Sequence, residues 1–243
     1  MLHFTAQEVD GMEQRFRTQL INSLTGFKSL SLVGTISGKK ETNLAVFSQI
    51  IHIGAHPPLI GILSRPDSVP RHTLQNIREE GAFTLNHVTS DFYEKAHLTS
   101  ARWSTSEFDA VHLTEQYLDE FSAPYVKESV IKIGCEMREI INLSINGTHL
   151  IIGQIKQIYL PENSLDKEGF VDLEEAGTLT VSGLDSYHLT KKIARLPYAK
   201  AQNKPPLNEL MSSEYGRILT VLILCFYNLF VPISLHLFLK TNI

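Results

Sequence analysis

The chain has 243 residues, of which 43% are hydrophobic and 20% are charged, a composition that fits one large globular domain or two small ones. Its formal net charge of -4 gives no long-range attraction to nucleic acid, and no basic stripe with interleaved aromatic residues is present, so a nucleic-acid partner is not expected. The two cysteines, Cys135 and Cys225, lie far apart and predict neither a disulfide framework nor a Cys-based metal site, which fits a reducing compartment.

The first predicted elements are an amphipathic helix over residues 6–22 and a strand over 29–36. Thr5 and Glu8 have the spacing of a capping box, and the apolar residues that follow recur at helical spacing. The strand alternates small polar and apolar residues and is followed by a turn rich in Lys. No basic region followed by an apolar core opens the chain, so no signal peptide is predicted and a cytoplasmic location is expected.

The stretch 42–88 carries the strongest functional signal in the chain. It is predicted to form a strand, a Pro-Pro corner, a second strand that ends in Ser64 and Arg65, a polar loop, a short helix and a further strand. Thr73 is predicted to cap the helix, which covers 74–80. A helix N-terminus carries partial positive charge, so Ser64, Arg65 and Thr73 together with the free helix N–H groups predict an anion site that suits a phosphate.

A second polar segment, NLAVFS at 43–48, enters the strand before this loop through small and polar residues. Ala45 leaves the backbone approachable, while Asn43 and Ser48 carry donors and acceptors for the rim of a flat heterocycle. Together with the anion site, this segment predicts a nucleotide-like ligand that has a ring and a phosphate.

Each of these residues also has a structural interpretation, which the residues alone leave open. Ser64, Arg65 and Thr73 are residue types found in solvated loops and helix caps. Asn43 can simply begin a strand, and Ser48 can fill a small gap in a core. The ligand site is therefore a hypothesis that the local pattern raises without deciding it.

Beyond residue 88, a short helix is predicted to lead into an irregular, polar excursion over 101–121, which contains the only tryptophan, Trp103. A long insertion of low periodicity is usually a lid or an interface. Further on, two β-branched strands joined at Asn146-Gly147 predict a hairpin, because the turn and strand signals agree. In chain order the predicted elements are the helix 91–100, the hairpin strands 130–145 and 149–160, a strand 177–182 and a helical turn 186–192.

The last part of the chain changes character twice. Residues 201–217 are polar and contain two adjacent prolines, and they are predicted to be a linker that follows a domain spanning 1–200. Residues 218–239 contain no Asp, Glu, Lys or Arg and are long enough, as a helix, to cross the hydrocarbon core of a bilayer. This segment is a candidate membrane anchor, a partner-binding helix or an extension without a native role, and its Asn, Pro and His residues weigh against the first.

Several short motifs follow one another in a specific order. They are GT at 34–35, NLAVFS at 43–48, GAHPP at 54–58, SRPD at 64–67, TLQNI at 73–77, FTLN at 83–86, SEFD at 106–109 and YHLTKKIARLPYA at 187–199. In order and spacing these motifs resemble the flavin reductase-like family with an FMN-binding split β-barrel. The resemblance extends from about residue 20 to residue 200.

The resemblance implies a mainly β fold with peripheral helices, an FMN-binding split β-barrel that binds FMN non-covalently. It also implies a homodimer, because flavin sites in such folds are commonly completed at the subunit interface, and the 101–121 excursion is a candidate for that role. The implied cofactor contacts are Asn43, Ala45, Val46, Ser48, Ser64, Arg65, Thr73, Asn86, His188 and Arg195. Two of them keep structural alternatives, since Asn86 can satisfy a buried backbone group and Arg195 can pair with a carboxylate.

The implied function is that of an NAD(P)H-dependent oxidoreductase that passes a hydride or electrons through FMN to an acceptor, either a small molecule or a redox protein. The flavin carries this chemistry, so no catalytic side chain is predicted. No metal is predicted either, because His52 and His56 are accompanied by no His-Glu-x-x-His motif or paired Cys. The absence of a G-x-G-x-x-G motif fits a nicotinamide that binds transiently over the flavin.

Two other functions remain open at this point. The first is a non-enzymatic, flavoredoxin-like FMN-binding electron carrier that serves a protein redox partner. The second is a membrane-tethered scaffold, which depends on residues 218–239 alone.

Overall fold

The structure, a computed structural model, describes residues 1–200 of the chain. Met1–Lys192 form one compact unit, and Ile193–Ile243 are grouped as a second, of which 193–200 are described and contain neither helix nor strand. The predicted linker and the apolar segment that follows it lie outside the described residues. Among residues 1–200, no helix has the length and apolar character needed to span a membrane.

The described chain is mainly β with helices at its periphery, which confirms the predicted fold class. The helices are α1 (Ala6–Gly11), α2 (Gln14–Leu24), α3 (His72–Glu80), α4 (Tyr93–Leu98) and α5 (Glu107–Val111), and a 3₁₀ helix covers Glu162–Ser164. The strands are β1 (Ser31–Ile36), β2 (Thr42–Phe47), β3 (Ile50–Ala55), β4 (Pro58–Ser64), β5 (Ala82–His87), β6 (Glu115–Gln116), β7 (Tyr125–Val126), β8 (Lys132–Leu143), β9 (Thr148–Tyr159), β10 (Thr180–Ser182) and β11 (Ser186–His188).

One antiparallel sheet of seven strands, in the order β2-β1-β5-β8-β9-β4-β3, forms the body of the unit. Strands β2 and β3 follow one another in the chain but lie at opposite edges of this sheet. Just before β1, the Ser29 hydroxyl donates to the carbonyl of Ile50 at 3.2 Å and accepts from its N–H at 3.3 Å. These bonds hold the start of β3 beside the start of β1. The sheet therefore curls into a barrel, which is split between its two edge strands, β2 and β3.

The long hairpin of β8 and β9 forms where the sequence predicts it. Gly147 has a φ of +73°, in the left-handed region that glycine adopts without a Cβ penalty. The side-chain oxygen of Asn146 accepts a hydrogen bond from the N–H of Thr148 at 3.1 Å. The Asn-Gly pair therefore closes the turn through local chemistry that the sequence already displays.

Two apolar clusters lie on opposite sides of the β1 region. The barrel interior is filled by Val33, Ile62, Leu74, Ile77, Phe83, Leu85, Cys135 and Ile151. The outer cluster includes Leu30, Leu32, Leu44, Val88, Phe92, Phe108, Val111, Val126 and Val181. Strand β1 contributes Val33 to the first and Leu32 to the second, and all six of its residues are buried.

The 101–121 excursion covers the outer side of β1 and β2 in the same chain. Its helix α5 places Phe108 and Val111 in the outer cluster. Trp103 stays 42% exposed, and its indole N–H donates to the carbonyl of Leu98 at 3.0 Å. Part of the excursion is therefore a cover for the chain's own core, a role that the sequence did not predict for it.

Two sequence predictions of secondary structure are wrong in part. The predicted helix over 6–22 is divided into α1 and α2, because Met12 is extended and Glu13 starts a new helix by accepting hydrogen bonds from two backbone N–H groups. The Thr5–Glu8 capping box that begins α1 is confirmed. The predicted helical turn over 186–192 is wrong, since β11 pairs with β10 as a strand instead.

Candidate cofactor-binding site

A buried polar network joins the two segments for which the sequence predicts ligand contacts. Asn43 on β2 donates from Nδ2 to Thr73 Oγ1 on α3 at 3.0 Å and to Thr35 Oγ1 on β1 at 3.3 Å. Asn76 on α3 donates to the same Thr35 oxygen at 3.1 Å. All four side chains are 7% exposed or less. Buried polar groups are costly without partners, so this network fixes where α3 begins relative to β1 and β2.

Helix α3 begins without a side-chain cap. Its N-cap residue is Arg71, and within residues 1–200 no side-chain cap hydrogen bond is formed at this helix start. The predicted N-cap at Thr73 is wrong, because Thr73 lies inside the helix and its hydroxyl accepts the hydrogen bond from Asn43. The first turn therefore keeps backbone N–H groups, and the positive end of the helix dipole, available to an anion.

The loop between β4 and α3 adds a positive charge. Arg65 is exposed, and its guanidinium makes no hydrogen bond or ion pair with any residue in the described range 1–200. Ser64 is buried, and its hydroxyl donates to the carbonyl of Arg65 at 3.3 Å. Arg71, the N-cap of α3, donates from Nε to the carbonyl of Pro66 at 3.1 Å, which ties the loop to the helix start.

The segment 43–48, for which contacts with the ring of a ligand are predicted, lies at one edge of the sheet. Strand β2 is an edge strand, and the outward N–H of Leu44 is taken by the carboxylate of Glu107 at 3.0 Å. Backbone groups alternate in direction along an antiparallel strand, so the N–H and carbonyl of Val46 also point outward. Ala45, Val46 and Ser48 are partly buried, which leaves this stretch of edge accessible to a flat polar ligand.

Asn86 has a structural role in this arrangement. It is fully buried, and its Oδ1 accepts from the N–H of Val126 at 2.9 Å. Its Nδ2 donates to the carbonyl of Leu32 at 3.1 Å and to Thr84 Oγ1 at 2.9 Å. The contacts support the alternative that the sequence left open, an amide that satisfies buried backbone groups.

The last two predicted contacts lie elsewhere in the chain. His188 on β11 has its Nε2 2.8 Å from Ser182 Oγ on β10, and its ring meets Phe27 edge-on at 4.9 Å between centroids. Arg195 belongs to the second unit of the chain. The contacts of His188 are therefore with β10 and with the segment before β1. The predicted cofactor contacts of His188 and Arg195 both stay predictions.

Three contributors to the site were not assigned roles from the sequence. Thr35 and Asn76 complete the buried network, and Glu107 occupies the edge of β2. Each of the three lies within a motif quoted for the family resemblance, so the sequence marked the position of the residue but not its role. Their roles depend on partners from other elements, and no local spacing reveals those partners.

Replacing Thr35 with valine is expected to lower the free energy of unfolding by about 1–3 kcal/mol. Valine keeps the shape of the buried side chain but removes the oxygen that accepts hydrogen bonds from Asn43 and Asn76. Urea unfolding followed by circular dichroism measures the loss. Thr35→Ser keeps the oxygen and is the matched control. Equal stability of the valine variant and the wild type would show that the network contributes nothing.

The donor set fits a ligand that has a phosphate at one end and a polar ring at the other. The start of α3 and the guanidinium of Arg65, neither of which has a side-chain partner in the described part of the chain, offer charge-assisted hydrogen bonds to a phosphate. The free backbone edge at Val46 offers one donor and one acceptor to the rim of a ring. Asn43 and Thr73 join the two parts directly.

Comparisons with known proteins bear on the fold of the chain. The model of the flavin reductase like domain matches residues 28–179. A crystal structure of a candidate flavin reductase with a split barrel domain, from Shewanella frigidimarina NCIMB 400, is 46% identical, covers 82% of this chain and 100% of its own, and gives a TM-score of 0.79.

Two more distant proteins extend the likeness. The 2-nitrobenzoate 2-nitroreductase NbaA of Pseudomonas fluorescens is 23% identical, covers 84% of this chain and 100% of its own, and gives a TM-score of 0.71, which shows a shared fold. A curated relative, an uncharacterized protein of Aquifex aeolicus strain VF5, is 25% identical over 178 residues, or 72% of this chain and 88% of its own.

Proposed function

This chain belongs to the flavin reductase like domain family, and on that premise we propose that it is an FMN-binding oxidoreductase that passes a hydride or electrons from NAD(P)H through FMN to an acceptor. The observation that carries the proposal is the buried hydrogen bond between Asn43 and Thr73, which holds the free edge of β2 beside the uncapped start of α3. Bound FMN supplies the hydride and electron-transfer chemistry.

The protein's own residues bind and orient the cofactor in this proposal. Arg65 and the first N–H groups of α3 hold the phosphate, because both offer positive charge and donors without competing partners among residues 1–200. The backbone edge at Ala45 and Val46 meets the rim of the ring, with Ser48 at the end of this stretch. Asn43 and Thr73 are positioning residues, since each already uses its side chain to hold the other.

Anaerobic titration tests this function. The purified protein is expected to bind FMN, and NADH or NADPH is expected to bleach the visible absorbance of the bound flavin faster than that of free FMN. Slow bleaching by both nicotinamides, combined with fast electron exchange with a reduced redox protein, would favour the electron carrier. If the protein binds no FMN at concentrations that saturate a known FMN-binding protein, both functions are contradicted.

We further propose a homodimer, with the outer face of β3 and β9 as its interface. A Cβ placed on Gly61 would lie within 2.9 to 3.2 Å of Ile51, Ile53 and Leu150, so these three side chains share one outward face over β4. Ile51 is 46% exposed and Ile53 is 39% exposed. A contiguous apolar patch on an outer sheet face is a common site of subunit association, and a second copy would cover the same patch on both protomers.

Light scattering of the FMN-loaded protein is expected to give the mass of a dimer at micromolar concentration. The double variant Ile51→Asp with Ile53→Asp is expected to give a monomer, because two carboxylates on each protomer would face one another across the interface. Leu24→Asp, at a residue exposed to 70% on α2, is the matched control and should stay dimeric. A wild-type monomer that still holds FMN would rule out the dimer.

A further inference from the structure

Two carboxylates lie along the outer edge of β2, beside the stretch that is proposed to meet the ring of the cofactor. Glu107, at the first position of α5, accepts the outward N–H of Leu44 at 3.0 Å. Glu115, on β6, accepts a hydrogen bond from the hydroxyl of Thr42 at 2.5 Å. Thr42 and Leu44 are two residues apart on β2, so the two contacts form a row along one edge. The next position of this row is Val46, whose N–H and carbonyl point outward as well.

The negative charge of these two side chains is not neutralised within the described part of the chain. Among residues 1–200, neither Glu107 nor Glu115 forms an ion pair with Lys, Arg or His. Both are only partly exposed, so solvent screens their charges less than it screens those of fully exposed carboxylates. The neighbouring hydroxyl of Tyr117 responds to this charge, since burial first, and then the charge of Glu115, raises the pKa of Tyr117.

Reduction of the cofactor changes its charge at the ring and not at the phosphate. A hydride carries two electrons and one proton, so its transfer from NAD(P)H leaves the nicotinamide with a positive charge and adds one negative charge to the flavin ring. The phosphate keeps the same charge. A nearby carboxylate therefore repels the reduced ring more than the oxidised ring, and charges placed in this way tune the electronic properties of a bound cofactor.

We propose that Glu107 lowers the reduction potential of the bound FMN, because its carboxylate lies two residues along the β2 edge from the backbone groups that meet the ring. The inference rests on the proposed function, in which the rim of the ring meets Val46. Strand residues rise about 3.4 Å each, so Leu44 and Val46 are about 7 Å apart along this edge. Glu107 weakens the binding of reduced FMN relative to oxidised FMN and makes the reduced cofactor a stronger electron donor. Glu115 acts in the same direction from two residues further away.

The Glu107 side chain also holds α5 against β2, so its charge has to be separated from this structural role. Glutamine keeps one side-chain oxygen, and that oxygen can still accept the N–H of Leu44. Glu107→Gln therefore removes the charge and keeps the hydrogen bond. Circular dichroism and urea unfolding of the cofactor-free variant are expected to stay close to those of the wild type.

Potentiometric titration of the FMN-loaded protein at neutral pH measures the effect of the charge. The ratio of the dissociation constants of reduced and oxidised FMN is expected to fall about three- to tenfold in Glu107→Gln, which raises the midpoint potential by about 15–30 mV for two electrons. Glu115→Gln should raise the potential by less. Asp109→Asn is the matched control, because it removes a solvent-exposed carboxylate from the same helix, and its potential should follow the wild type.

Three further measurements separate an effect of charge from a change in shape. The shift in Glu107→Gln should shrink when the salt concentration rises from about 20 mM to about 500 mM, because mobile ions screen a partly exposed carboxylate. The shift should have the same size with riboflavin, which has the same ring and no phosphate. Glu107→Asp keeps the charge, so its potential should stay closer to that of the wild type than the potential of Glu107→Gln does.

The outcomes distinguish this inference from the proposed function. Equal potentials of the wild type and Glu107→Gln, with FMN bound to both, would overturn the inference and leave the proposed function standing. A shift that salt leaves unchanged would also overturn the inference, because a charge could not be its cause. If Glu107→Gln does not fold, Glu115→Gln carries the test, and an unshifted potential in that variant overturns the inference. A wild type that binds no FMN contradicts the proposed function, and the inference falls with it.

Discussion

Replacing Arg65 with alanine is expected to weaken FMN binding by about 10- to 100-fold, because charge-assisted hydrogen bonds of this kind contribute about 1.5–3 kcal/mol each. The guanidinium of Arg65 has no partner within residues 1–200 that would compete with a phosphate. Arg65 is also the first residue of the loop that leads to the uncapped start of α3. Riboflavin lacks the phosphate, so it should bind the wild type more weakly but lose little further affinity in the variant. Fluorescence titration with both ligands measures the two losses.

The controls for Arg65 separate charge from general damage to the loop. Arg65→Lys keeps the positive charge but lacks the planar set of donors of a guanidinium, so it should recover part of the affinity for FMN that Arg65→Ala loses. Arg15→Ala removes an exposed arginine from α2 and should leave both affinities unchanged. Equal losses for FMN and riboflavin in Arg65→Ala would sink the phosphate assignment, and Arg71 at the N-cap would become the next residue to test.

Replacing Gly34 with alanine is expected to lower the free energy of unfolding by on the order of 3 kcal/mol, a large effect for one methyl group. A Cβ at this position would lie 2.2 Å from the carbonyl oxygen of Pro124 and 2.6 Å from Thr84 Oγ1. These two atoms are themselves joined by a hydrogen bond of 2.6 Å, so neither can move without breaking it. The midpoint of thermal unfolding should fall by about 6–12 °C for a unit of this size.

The matched control for Gly34 is a glycine in another strand of the same sheet. A Cβ on Gly54 would meet the carbonyl oxygen of Pro57 at 3.5 Å, an ordinary van der Waals contact. Gly54→Ala should therefore stay close to the wild type in calorimetry. If Gly34→Ala melts at the wild-type temperature, the close approach between β1 and the segment before β7 does not constrain the fold.

The sequence predicts most elements whose signals are local. The β8–β9 hairpin is predicted well because its turn depends on Asn146 and Gly147 themselves, and the α1 start because its cap and its partner are three residues apart. The break between α1 and α2 was missed because apolar spacing continues across it. What stops the first helix there is the extended residue Met12, followed by a new cap at Glu13.

The candidate site was predicted as a set of segments but without its internal contacts. The family resemblance brought the β2 segment and the α3 loop together, and the structure joins them through Asn43 and Thr73, which are 30 residues apart in the chain. Local reasoning assigned the Thr73 hydroxyl to the helix end, because a cap is the most common use of such a residue before a helix. A partner on another strand competes for the same hydroxyl, and no spacing rule within one segment predicts that competition.

The carboxylate of Glu107 hinders the pairing of β2 with strands from other molecules. An edge strand with free N–H and carbonyl groups is a template for strands from other molecules, and such pairing leads to aggregation. Because Glu107 occupies the N–H of Leu44, an incoming strand would have to displace a charged group at the centre of this edge before it could continue the ladder. Among residues 1–200, no side chain takes the outward N–H and carbonyl of Val46, so that part of the edge stays open. The side chain beside the proposed ligand contacts thus makes strand addition at this edge less favourable.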